Sequence, residues 1–93
     1  MSDQDPGVSF AAFVMSLATT AAVHFGDVAD PSGGATHTDL PAARQMIDIL
    51  AMLEDKTRGN LSDEEQKLVE TLLYELRMRY IEASKEERRI ITP

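Results

Sequence analysis

Sixteen consecutive residues, Phe10 to Phe25, read FAAFVMSLATTAAVHF without one Asp, Glu, Lys or Arg, although 27% of the chain is charged. Something must cover such a segment: a bilayer, the rest of this chain, or a second copy of it. A membrane-spanning helix needs about 20 mostly apolar residues, usually with basic anchors at its ends. The uncharged run from Pro6 to Gly26 is nearly long enough, but alanines, Ser16, Thr19, Thr20 and His24 dilute it. Its flanking residues, Asp5 and Asp27, have the wrong sign for anchoring. The opening MSDQDPG is acidic, unlike the basic start of a secretory signal. The expectation is a cytoplasmic protein with no membrane span.

Ninety-three residues make one small domain with a thin core. Apolar residues form 43% of the chain, which suits a globular rather than a disordered protein. Without cysteine there is no disulfide framework, thiolate metal site or thiol nucleophile. The net charge of −7 repels phosphate backbones and argues against nucleic acid as a partner. Arg77, Arg79, Lys85, Arg88 and Arg89 cluster late in the chain, but they alternate with Glu75, Glu82, Glu86 and Glu87 as on a solvated helix face.

The pattern predicts an all-α fold of three helices, at about 9–25, 40–58 and 63–86. Ser9 and Asp39 are suited to cap the first two, and Val8 is placed to pack on Phe13 as a hydrophobic staple. Gly26 and Gly59 supply left-handed ends. Ser62-Asp63-Glu64-Glu65 is a capping box, with acids at the positive end of the third helix. The short link RGNL makes helices two and three an antiparallel hairpin. Residues 1–7 are expected to be a disordered N-terminus and 27–39 a long flexible loop. The single helical domain covers 8–87, leaving 88–93 as a frayed tail.

Helix two gathers Ala43, Met46, Ile47, Ile49, Leu50, Leu53 and Thr57 on one arc, and helix three gathers Leu68, Val69, Leu72, Leu73, Leu76, Tyr80 and Ala83. Helix three also has Tyr74, Met78 and Ile81 in register on its far side, where one hairpin partner does not reach. Helix one is more extreme. Phe10, Phe13, Val14, Leu17, Ala21 and Phe25 form a face of mostly large residues, while Ala12, Ser16, Thr19, Thr20 and Val23 form a small or hydroxylated one. Two other helices cover about half of a helix's circumference, so helix one is expected to be buried in a homo-oligomer, a dimer before a tetramer. The connection after it is long enough for a swapped arrangement, in which it docks on a partner chain.

FAAFVMSLATTAAVHFG, IDILAMLEDKTRGNLSDEE and LLYELRMRY resemble domain of unknown function family 1844, over about residues 8–83. The resemblance implies a short bacterial all-helical protein and carries no activity, cofactor or catalytic residue with it. Capping and the helix dipole already account for KTRGNLSDEE as a helix end followed by a helix start.

No phosphate-binding glycine loop is legible, and Ser9 and Ser16 have no base oriented towards them. His24, Asp27, Asp30, His37 and Asp39 are five conceivable metal ligands, although Asp39 serves as a cap and the aspartates suit turns. Three pairs, Asp63–Lys67, Glu75–Arg79 and Glu54–Arg58, stand at i,i+4 with the acid first. The residues thus suggest a non-catalytic interaction module, a homo-oligomeric scaffold or adaptor requiring no cofactor. Its partner would be itself or another protein. The alternative is a cavity between subunits binding a small apolar ligand or metal near His24, with Asp27 and His37 as further donors.

Overall fold

The computed structural model describes residues 9–29, 33–34 and 36–91, the last four of these by backbone alone. Three helices follow one another: α1 (Phe10–His24), α2 (Leu40–Lys56) and α3 (Asp63–Ile91), with no strand among the described residues. All three pairs of helices are in contact, so α1 docks across the α2–α3 hairpin of its own chain.

The ends form as local chemistry dictates. Ser9 Oγ accepts from the Ala12 N–H at 3.0 Å and caps α1. At the other end Gly26 takes φ +81°, its N–H donates to Val23 O, and the Asp27 N–H donates to Ala22 O. This reversal satisfies carbonyls that the helix itself leaves open. Asp39 caps α2 through the Ala42 N–H at 3.2 Å. Ser62 and Glu65 close the capping box, with Glu65 accepting from the Ser62 N–H at 2.8 Å and Ser62 Oγ accepting from the Glu65 N–H at 3.1 Å.

Two expected boundaries shift. Helix α2 stops at Lys56 rather than near residue 58, because Thr57–Gly59 form a turn in which Gly59 adopts φ +89°. Helix α3 continues to Ile91 instead of ending near residue 86. Nothing in the Lys85–Ile91 segment, which lacks Pro and Gly, breaks a helix. The Val8 staple, the expected disorder of 1–7 and the last two residues lie outside the described residues.

One buried cluster draws on every helix: Val14, Ala21 and Phe25 with Leu40, Ala43, Ile47, Leu50, Val69, Leu73, Leu76 and Ala83. The arcs expected on α2 and α3 are the ones buried. On α1 the covered arc is displaced towards the alanines: Ala18 packs on the core, while Phe13, 100° round the helix from Val14, remains 48% exposed.

Candidate interaction surfaces

The uncharged helix divides lengthwise. Of the residues expected at an interface, Val14, Ala21 and Phe25 are buried within the chain, and Phe10 and Leu17 are half-buried against its core. Ala12, Phe13, Ser16 and Thr20 face solvent, joined by Met15 and Thr19. The three hydroxyls on this side all turn inward: Ser16 Oγ donates to Phe13 O at 2.8 Å, Thr19 Oγ1 to Met15 O at 3.0 Å and Thr20 Oγ1 to Ser16 O at 3.0 Å. The outer face of α1 therefore presents methyl groups, a thioether and an aromatic ring with no formal charge.

A second bare surface lies on the hairpin, away from its buried stripe. Tyr74 is 67% exposed, with Met78 and Ile81 close to half exposed. Two open clefts adjoin them. One of about 210 Å³ is lined by Glu54, Glu70, Leu73, Tyr74, Arg77 and Met78. The other, about 440 Å³, is lined by Arg44, Ile47, Asp48, Arg77, Tyr80 and Ile81. Both are floored by side chains of the hairpin core and walled by charge.

The candidate metal ligands have other roles. Asp27 receives two hydrogen bonds from Arg79, Nε to Oδ2 at 2.8 Å and Nη2 to Oδ1 at 2.7 Å. Asp39 caps α2, His37 is exposed in the loop, and half-buried His24 ends α1. Asp30 lies outside the described residues. Among the described residues no group of three or more His, Asp or Glu could hold a metal ion. Neither serine is placed to be activated by His24: Ser9 caps the start of α1, at the opposite end of the helix from His24, and Ser16 donates to Phe13 O of its own helix about two turns away.

The Asp27–Arg79 clasp joins the start of the connection to α3, with the guanidinium also 5.4 Å from the centre of the Phe25 ring. Spacing along α3 pointed Arg79 at Glu75. The planar fork of arginine instead finds a bidentate carboxylate, the stronger geometry. Among the described residues Asp63 and Lys67 do not come within 4.0 Å, and Glu54–Arg58 does not form either: Arg58 meets Asp55 at 3.3 Å, and Glu54 accepts from Gln66 Nε2 at 3.2 Å.

The hydrogen bonds from Arg79 hold the Asp27 carboxyl below its ordinary pKa of 3.8, with burial opposing them and the guanidinium charge adding to them. The ionised form is thus favoured in the fold. The clasp's contribution is present in full above pH 3.8 and is lost as pH falls through the lowered value. The pair is partly exposed, so about 0.2–1 kcal/mol is the relevant scale. Arg79→Met, which keeps much of the packing on Phe25, is expected to cost that much at pH 7 and less near pH 2. Urea titrations at the two pH values measure it, and an equal cost at both would assign Arg79 a packing role alone.

These features define an all-helical chain with uncovered apolar surfaces and, among its described residues, no group of His, Asp and Glu that could hold a metal ion. None of its described helices is long and apolar enough to cross a membrane. A family model described as domain of unknown function, DUF1844, matches residues 7–82, and the chain belongs to that family. No curated protein and no solved structure matches it.

Proposed function

We propose that the protein is a non-catalytic, homo-oligomeric interaction module acting as a scaffold or adaptor. The observation that carries this reading is the outer face of α1, where Ala12, Phe13, Met15, Ser16, Thr19 and Thr20 leave a charge-free strip in solvent. Contiguous uncharged strips of this kind mark protein contacts more often than scattered apolar residues do. The small residues let a partner backbone come close, and the hydroxyls, already bonded within the helix, lose little on leaving water. The exposed triad Tyr74, Met78 and Ile81 adds a second apolar area to the same chain.

The test charges the bare strip while sparing the core. Leu17→Asp would not discriminate, because Leu17 packs against the chain's own core. Phe13→Glu and Thr20→Lys alter solvent-facing positions, and a Glu near the start of α1 suits the helix dipole. The combined variant is expected to remain folded by circular dichroism and to assemble at least about 10-fold more weakly, a difference of about 1.4 kcal/mol. Native mass spectrometry of the unaltered chain, purified without a metal-affinity tag, should give an integer multiple of 10.3 kDa. A bare monomer at micromolar concentration would overturn the proposal. Extra mass removed by His24→Ala, with the assembly unchanged, would favour ligand binding instead.

A further inference from the structure

We infer that the outer face of the α2–α3 hairpin seats a second copy of this chain about a two-fold axis crossing both helices, with α3 antiparallel to α3 and α2 antiparallel to α2. This deepens the self-association reading and rests on it. The occupant is identified by charge. At the loop end of the face stand two acids, Glu54 and Glu70, which share the amide of Gln66 at 3.2 and 3.0 Å. Further along, Arg77 and then Arg44 line the larger cleft. Among the described residues, neither arginine has a carboxylate oxygen within 4.0 Å. The face thus carries Glu54 and Glu70 at one end, with exposed Lys67 one turn before Glu70, then Arg77 and Arg44 towards the other end, and Tyr74, Met78 and Ile81 along it.

The spacing makes this pattern complementary to itself. On α3 the point midway between Glu70 and Arg77 falls between Leu73 and Tyr74. On α2 the point midway between Arg44 and Glu54 falls at Ile49. These points lie level in the hairpin: Glu54 is level with Gln66, to which it is bonded, and Arg44 with Tyr80, which lines the same cleft. One two-fold axis through both points carries Glu70 onto the partner's level of Arg77 and Glu54 onto that of Arg44. It also lays the two apolar triads along one another. A two-fold axis parallel to the helices would instead face α2 with α3 and bring Glu54 towards Glu70, acid against acid. Asp48 lies close to the chosen axis and would approach its own copy there, with Arg77 beside it in the larger cleft to offset the two like charges. A standard interface takes about 800 Å² from each partner, roughly an eighth of this chain's 6585 Å² surface.

Charge reversal separates the possibilities. Glu70→Arg and Arg77→Glu are exposed substitutions, and thermal melts verify that each variant folds. Either one alone sets like charges together twice per dimer and is expected to weaken association about 10- to 100-fold. In the geometry proposed, an equimolar mixture of the two single variants forms a heterodimer in which both contacts are complementary. The double variant Glu70→Arg/Arg77→Glu likewise recovers association. Sedimentation equilibrium and native mass spectrometry read these states. Recovery in the mixture supports the antiparallel two-fold, and weakening without recovery overturns it. An oligomer indifferent to both reversals overturns this inference alone and leaves the outer face of α1 as the contact. A monomeric unaltered chain overturns the self-association reading as well.

Discussion

Leu50→Ala is expected to lower the unfolding free energy by about 2–5 kcal/mol. Leu50, Val14 and Val69 are the largest fully buried side chains, one from each helix, and all three belong to the single buried cluster. Removing the isobutyl group loses its transfer free energy and leaves a cavity that helix packing only partly closes. Small domains have total stabilities of about 5–15 kcal/mol, and a thin core puts this chain towards the lower end. The substitution should therefore leave much of the population unfolded at 37 °C. Urea unfolding measures it as a fall in midpoint at nearly constant slope. A loss below about 1 kcal/mol would mean that the site collapses around the smaller side chain.

Gly26→Ala is expected to cost about 1–3 kcal/mol and to exceed the cost of Gly59→Ala. Both glycines adopt positive φ, +81° and +89°, which is unfavourable by about 1–2 kcal/mol for a residue with a Cβ. Their surroundings differ. A Cβ on Gly59 would meet nothing within 4 Å, whereas on Gly26 it would lie 2.8 Å from Thr38 Oγ1. The Thr38 hydroxyl donates to Phe25 O at 3.3 Å, so turning it aside weakens the seal between the connection and α1. The difference between the two glycine substitutions isolates the steric part. Gly26→Ala in a Thr38→Ala background should cost no more than Gly59→Ala; if it costs the same as in the unaltered chain, the contact carries nothing.

What was legible in the residues was whatever depends on near neighbours. Ser9, Asp39 and the Ser62–Glu65 box announce helix starts because a side chain meets a backbone group three residues away. The half-buried arcs of α2 and α3 are equally local, set by 3.6 residues per turn. Arg79 defeats such rules, since its partner Asp27 is 52 positions away and becomes a neighbour only once α1 has docked. Which arc of α1 packs on its own chain was not legible: Phe13 is exposed, while Ala18 packs on the core. In a helix without charges, polarity gives no bearing, and tertiary packing sets the rotation. The candidate surfaces were half visible for the same reason. Tyr74, Met78 and Ile81 stand out by periodicity, while the cleft walls formed by Arg44, Glu54, Glu70 and Arg77 require the hairpin register.

The connection between α1 and α2 begins and ends at nearly one point: the Asp39 N–H donates to His24 O at 2.7 Å, and Thr38 reaches back to Phe25. A loop pinned at its neck is mechanically separate from what it joins. Lengthening it adds only closure entropy, about 0.6 kcal/mol for a doubling, while the neck keeps the two helix ends together. Gly33 and Gly34 are exposed, and a Cβ at either would meet nothing within 4 Å. Gly33 and Gly34 are therefore a natural port for inserted sequence, a label or a foreign epitope.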